Sequence, residues 1–138
     1  MEFRKTKSLN VKIKDEQAHN LSAKSKIEKM LTENGVIGFD IYQNDNLIGF
    51  AMLKEFEKNK YFLWDYYIEY DFQNKGLGTE ALYELVELLK KDYGCSTITT
   101  TYKWGNLPAK SLYKKIGFVE TDIVDEDDVH EVNMMLEL

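Results

Sequence analysis

The sequence predicts one α/β (α+β) domain, a mixed and mostly antiparallel central sheet flanked by helices. Three observations carry that expectation. Residues 77–92 form an apolar stripe of helical period, residues 38–53 and 118–138 hold β-rich runs paired around turns, and residues 61–70 are aromatic and β-branched throughout. The chain has 138 residues, 43% apolar and 13% aromatic, enough to bury one core, so the whole of 1–138 is read as a single domain. Pro108 is the one proline, and no Ser/Gly-rich stretch or internal repeat marks a linker.

In chain order, residues 15–33 place Ala18, Leu21, Ile27, Met30 and Leu31 near helical spacing with Gly35 as a stop, which predicts one or two helices. GFDIYQ and LIGFAML then flank Asn44-Asp45-Asn46, residues that tolerate left-handed geometry, and so form a hairpin. YFLWDYYIEY, residues 61–70, suits a central strand covered on both faces. Leu77, Ala81, Leu82, Leu85, Val86, Leu88 and Leu89 make one helical face, and Lys90 and Lys91 follow where the helix dipole favours cations. STITTTY is a short strand. Asn106 caps a last helix with Pro108 in its first turn, Leu107, Leu112 and Ile116 on one side and Gly117 as its stop. FVETDIV and VHEVNMMLEL close the chain as a hairpin around DEDD.

Composition excludes several classes. The 24 acids outnumber 18 bases, a net charge of −6, whereas nucleic-acid binding needs clustered cations, so no nucleic-acid partner is expected. Cys95, His19 and His130 are too few for an internal disulfide or a Cys/His zinc site, and no metal is expected. No stretch approaches the roughly 20 apolar residues of a membrane span, and no signal-peptide core follows Arg4, Lys5 and Lys7, so the expected location is cytoplasmic, away from membranes. The charge is uneven. Residues 118–138 hold eight acids and no Lys or Arg, while the preceding 117 residues hold 18 bases against 16 acids.

The segment IEYDFQNKGLGT, residues 68–79, joins the central strand to the long helix. Gln73-x-x-Gly76-x-Gly78 lies at a helix N-terminus, where free N–H groups and the positive dipole end meet. Without Cβ atoms at Gly76 and Gly78 a phosphate approaches the main chain closely, and Lys75 adds a charge. From spacing alone, a tight strand-to-helix turn explains the two glycines equally well. Walker-type and dinucleotide readings fail, since neither GxxxxGK[ST] nor GxGxxG is present.

Together with Asn106-x-x-Ala109-x-x-Leu112-Tyr113-x-x-x-Gly117-Phe118, this loop resembles the GNAT family of N-acetyltransferases over residues 36–138. The resemblance implies the acyl-CoA N-acyltransferase fold, with acetyl-CoA as co-substrate and an acceptor amine attacking the thioester directly in a ternary complex. It implies that the pantetheine arm lies beside Tyr66, Tyr67 and Ile68 like an added strand. Residues Gln73, Asn74, Lys75, Gly76, Leu77, Gly78 and Thr79 would take the pyrophosphate, with Asn106 and Ala109 on the second cofactor-contacting helix. Lys110, Lys114 and Lys115 are candidates for the cofactor's 3′-phosphate, or simply a basic solvent face.

By the same resemblance Tyr113 is the general acid. Independently, a thiolate leaving group with a pKa near that of cysteine, about 8.5, takes a proton from a nearby phenol of pKa about 10. The general base is not assigned. Asp65 and Glu69 are candidates, and alternation places both on the strand face opposite Trp64, Tyr66 and Ile68. Phe62, Trp64, Tyr66 and Tyr67 are read first as core and sheet surface, with some of them expected to wall an acceptor pocket. Cys95 reads as a small buried filler, and His19 and His130 as surface or turn residues.

Within the family, residues 36–53, the aromatic central strand and Gln73 in place of the commoner Arg are similar to the bacterial spermine/spermidine acetyltransferase-like branch. That implies a small cationic amine, with Asp65, Glu69 and the acids of the terminal hairpin, Asp125 and Asp127 among them, around it. A protein or peptide N-acetyltransferase and a non-catalytic acyl-CoA-binding module are the other readings. The terminal hairpin, by analogy with the family, supports a homodimer.

Overall fold

The computed structural model describes residues 1–12 and 24–138. Its strands are β1 (Glu2–Thr6), β2 (Val36–Gln43), β3 (Asn46–Glu57), β4 (Lys60–Ile68), β5 (Thr97–Lys103), β6 (Val119–Glu126) and β7 (Val129–Glu137). Its α-helices are α1 (Lys24–Met30), α2 (Leu77–Asp92) and α3 (Leu107–Ile116). The strands form one sheet in the order β1-β2-β3-β4-β5-β7-β6. Every neighbouring pair is antiparallel except β4–β5, because α2 carries the chain back to start β5 beside the start of β4.

The predicted sheet, both hairpins, the central strand and the helices at 77–92 and 107–116 are present. The helical expectation over residues 15–33 is met where α1 lies, but the strand that precedes it is not among the expected elements. Residues 2–6 form the edge strand β1, paired from Glu2↔Tyr42 to Thr6↔Gly38. EFRKT carries three charges in five residues, which suits an edge facing water but gives no periodic apolar signal. The helix containing Ile27 and Met30 is α1, while Ala18, His19 and Leu21 lie outside the described residues.

Two apolar clusters sandwich the sheet. On one side α2 buries Ala81, Leu82, Leu85, Val86 and Leu89 against Ile41, Ile48, Leu53, Leu63 and Ile98, with Tyr113 and Phe118 from the α3 region. On the other, Ile27, Met30 and Leu31 cover Phe50, Met52 and Tyr67. At roughly 1.5–3 kcal/mol for each fully buried large aliphatic side chain, these clusters are the main favourable term in folding. Within α3, Leu112 and Ile116 pack against the core as expected, but Leu107 is 64% exposed. It is the first helical residue, and the stripe does not reach the core until the following turn.

Strand β4 departs from simple alternation. Met52 pairs with Asp65 and Leu53 with Leu63, so Trp64 is an extra residue, a bulge. Tyr66 and Ile68 pack on the α2 side, whereas Trp64 packs with Tyr67 on the α1 side. The expectation that Trp64 shares a face with Tyr66 and Ile68 is therefore overturned, since strict period 2 cannot cross the bulge.

Candidate active site

Parallel pairing between β4 and β5 consists of Lys60↔Thr97, Tyr61↔Ile98 and Phe62↔Thr99. Beyond those pairs the strands part, and among the described residues no strand pairs with the side of β4 from Leu63 to Ile68 that faces β5. This is also the carboxyl end of two parallel strands, the usual place for ligands in open sheets. A cleft of about 590 Å³ fills the opening, lined among others by Asp65, Tyr66, Thr100, Asn106, Ala109 and Tyr113. A second hollow of about 310 Å³ shares Tyr66, Asn106, Ala109 and Tyr113 with it and continues past Tyr67 and Ile68 to Gln73 and Gly78. The two adjoining hollows run from the strand opening to the head of α2.

The loop preceding α2 is built for a left-handed path. Asn74 has φ 62° and Gly76 φ 76°. Glycine adopts this region without cost and asparagine tolerates it, which explains the residue types in Gln73-Asn74-Lys75-Gly76. Gly76 is the N-cap of α2 and contributes no capping side chain, so the first-turn N–H groups, Leu77 to Thr79, lack intrahelical partners. A Cβ on Gly76 would meet nothing within 4 Å, and one on Gly78 only Ile68 Cγ1 at 3.6 Å. Space alone does not demand glycine at 78 in the free protein. Tyr66 Oη donates to the Gly78 carbonyl at 2.5 Å, and Gln73 Nε2 to the Ile68 carbonyl at 2.7 Å. Both tie the loop to β4. Lys75 Nζ lies 3.4 Å from the Asp71 carbonyl.

Tyr113 projects from α3 into the cleft and is 8% exposed. Asn106 holds the start of that helix, its Oδ1 accepting from the Ala109 N–H at 3.3 Å. Gly117 ends the helix with φ 121°. Burial pushes the Tyr113 phenol up, the Asp65 carboxylate pushes the same way, and a hydrogen bond with Thr100 pulls against both. Burial, with a smaller effect of Tyr113, also raises Tyr66. These phenols therefore stay protonated beyond the ordinary tyrosine range.

Asp65 is 7% exposed and lines the cleft beside Tyr113. Glu69 lines neither hollow: it follows the end of β4 and its N–H donates to Ile48. Asp125 and Asp127 are also absent from the cleft wall. They lie at the exposed end of the β6–β7 hairpin, where Asp125 Oδ1 is 2.9 Å from His130 Nδ1. The hairpin acid that lines the cleft is Glu131, the cross-strand partner of Lys103. Tyr67 contributes little by its side chain, which packs on the α1 side and donates from its hydroxyl to the Lys12 carbonyl.

Of the lysines on α3, Lys110 and Lys114 lie 3.9 and 3.6 Å from Glu120. That carboxylate is held below its usual range by the Tyr102 hydroxyl first, and by Lys114 and Lys110. Cys95 is buried, its thiol raised mainly by that burial, as a packing residue would be. His130 is exposed and stacks near Trp104.

Sequence reasoning missed Lys26, Thr100, Thr101, Tyr102, Lys103 and Glu131 as cleft residues. Four of them are consecutive on β5, residues 100–103, where the sequence shows only a β-branched strand, and Lys26 and Glu131 come from α1 and β7, far away in the chain. Among the described residues no helix is long and apolar enough to cross a membrane.

The model of the acetyltransferase (GNAT) family matches residues 6–118. The chain belongs to that family. The spermine/spermidine N(1)-acetyltransferase of Bacillus subtilis (strain 168) is 34% identical over 85 residues, which is 56% of this chain and 56% of that protein. The chain thus spans little more than half the length of that curated relative. Among solved structures, a GNAT family acetyltransferase from Elizabethkingia anophelis with acetyl-CoA bound superposes with TM-score 0.70 at 20% identity, covering 84% of each chain. The ribosomal-protein-S18-alanine N-acetyltransferase of Escherichia coli gives 0.72 at 24% identity, covering 89% of this chain and 82% of that one. Both share the fold.

Proposed function

We propose that this GNAT-family chain is an N-acetyltransferase that moves the acetyl group of acetyl-CoA to a primary amine, and that the acceptor is a small cationic amine such as a polyamine. The observation that carries the reading is the opening between β4 and β5, where the parallel ladder stops after Phe62↔Thr99 and two adjoining hollows lead from Tyr113 to the glycine loop at the head of α2.

A pantetheine arm has amides that can pair with the open edge of β4 at Tyr66 to Ile68, as an added strand does. The free N–H groups at the α2 terminus suit a pyrophosphate. Because the Asn106 cap uses Oδ1, its Nδ2 is the group left to donate to a cofactor carbonyl. The family affiliation needs no metal in this chemistry.

In the transfer step the acceptor nitrogen attacks the thioester carbonyl carbon, a C–N bond forms and the C–S bond breaks. Tyr113 gives its phenolic proton to the departing sulfur and is reprotonated from solvent, while the proton lost by the nitrogen leaves through water. Asp65, buried beside the phenol, attracts the cationic amine. Glu131 at the outer wall replaces the hairpin tip as the second carboxylate. The curated relative named for spermine and spermidine supports the polyamine reading.

A peptide amine is the second reading. It is favoured by Lys26 and Lys103, which share the cleft with the two carboxylates and offer partners to an acceptor carrying its own negative charge. A steady-state screen of acetyl-CoA with polyamines, monoamines and short peptides, following release of the free thiol, tests both. Highest kcat/KM on spermidine or spermine supports the first reading, and highest on a peptide supports the second. Cofactor binding without thiol release on any amine overturns both in favour of a binding module.

A further inference from the structure

The cleft continues past its outer wall. A hollow of about 520 Å³ meets it at Phe62, Thr100 and Thr101 and extends over β7 to the edge strand β6, past Met135, Asn133 and Asp122. Ile98 and Tyr102 on β5 and Val132 and Met134 on β7 pack in the α2 core, so alternation turns Thr99, Thr101, Asn133 and Met135 to the opposite face. The cluster under α1 takes no residue from β5, β6 or β7. Among the described residues, that cluster therefore leaves this half of the face uncovered.

One polar row crosses it. Thr101, Asn133 and Asp122 are cross-strand partners on β5, β7 and β6. Thr101 Oγ1 donates to Asn133 Oδ1 at 2.8 Å, and Asn133 Nδ2 donates to Asp122 Oδ2 at 3.0 Å. Thr121 Oγ1 donates to Asp122 Oδ1 at 2.9 Å. Asp122 stands in this row because of a bulge: Glu120 pairs with Met134 and Asp122 with Asn133, so Thr121 is an extra residue. Without it, alternation would turn Asp122 to the α2 face. Each carboxylate oxygen has taken one hydrogen bond and keeps a site for another. The neighbouring acids of β6 differ in this respect. Glu120 has Lys110 and Lys114 at 3.9 and 3.6 Å and Asp125 has His130 at 2.9 Å, whereas no cation lies within 4.0 Å of Asp122 among the described residues. Lys54 lines the hollow from β3, at the end away from β6, with its Nζ over the Trp64 ring, 5.6 Å from the centroid.

We propose that this hollow is a second acceptor subsite, in which Asp122, held by Asn133 and Thr121, receives the far ammonium of a triamine or tetraamine whose methylene chain lies on Phe62 and Met135. This rests on the polyamine reading and deepens it to a selection by length. Two strand spacings separate Thr101 at the cleft wall from Asp122, about 10 Å. An extended chain advances about 1.2 Å per bond. From a nitrogen at that wall, a diamine with four carbons reaches about 6 Å and stops short, while a triamine with four and three carbons reaches about 11 Å. Apolar side chains under the path and one carboxylate at its end match a molecule whose charges are separated by methylenes.

The test is steady-state thiol release at low salt and saturating acetyl-CoA, with 1,4-diaminobutane, spermidine and spermine as acceptors. Asp122→Asn should raise the KM for spermidine and spermine about fivefold with kcat within about twofold, because a remote contact is made equally before and during transfer. The shorter diamine should lose less than about twofold in kcat/KM. Asp122 is exposed, so the thermal midpoint should stay within about 2 °C of wild type. Met135→Lys, which brings a cation into the same hollow, should also select against the two longer amines. Wild-type KM for spermidine and spermine in Asp122→Asn overturns the proposal. So does an equal loss on all three amines, which would assign Asp122 to the general field of the surface. If the wild type releases no thiol with any of them, the polyamine reading falls and this subsite with it, an outcome read from the wild type alone and so distinct from failure of the variants.

Discussion

The two ends of the active-site opening are encoded differently. Towards α2, the hollow is lined by Tyr66, Tyr67, Ile68, Gln73 and Gly78, all within 13 consecutive residues, with the rest from the first two turns of α3. Towards α1, the wall is Lys26, Phe62, Trp64, Lys103 and Glu131, drawn from four separate elements. A pyrophosphate asks for backbone N–H groups and glycine conformations, which one stretch of chain supplies. An acceptor asks for a particular set of side chains at particular distances, and folding gathers these from wherever the sheet places them. The first requirement leaves a local motif in the sequence and the second does not.

That contrast can be sharpened by substitution. The largest effect is expected at the junction of the two regions: Tyr113→Phe should lower kcat by about 100-fold or more with little change in either KM, measured at saturating acetyl-CoA. A tenfold loss in acetyl-CoA KM alone would reassign Tyr113 to binding. On the cofactor side, Gly78→Ala adds a methyl that meets only an ordinary contact in the free protein. The thermal midpoint should stay within about 2 °C while the KM for acetyl-CoA rises about tenfold, because the methyl stands where the phosphate must approach. An unchanged KM would remove the pyrophosphate from this loop.

On the acceptor side, Glu131→Gln should reduce kcat/KM for spermidine about fivefold at low salt, whereas Asp127→Asn at the hairpin tip should change it less than about twofold. The reverse order would restore the hairpin tip as the cation-binding element. The smallest effect is a limb that stays in place. Burial raises Tyr113 above the ordinary tyrosine value, so the acid form persists to higher pH. The pH profile of kcat should accordingly remain flat from about pH 8 to about pH 10 rather than fall near the unperturbed pKa of about 10. A decline centred near pH 9 would mean that another group controls the step.

The same reasoning explains what the sequence disclosed. The stripe from Leu77 to Leu89, the Asn44-Asp45 turn and the Asn106 cap are local devices, and each produced the expected element. β1 was illegible because a charged edge strand of five residues has no buried period to detect. The face of Trp64 is not legible in the sequence because a bulge depends on the partner strand, which alternation within one strand does not see. Glu131 does not stand out against the denser acids at 125–128, since charge density along a sequence says nothing about which carboxylate a cross-strand register turns towards the cleft.

Three pairs of residues, Lys60–Phe62 with Thr97–Thr99, join the four-stranded half of the sheet to its three-stranded half. In mechanical terms they are a short hinge, and the arms beyond it are levers. Tyr102 stands three residues past the last pair, about 10 Å along its strand. Opening the hinge by a mere 5° would move it by a little under 1 Å. A displacement of that size is enough to change turnover severely when reacting groups must be aligned. Leu63 and Ile98 are buried beside the pivot, where a change in side-chain volume would alter that angle without touching the cleft contents.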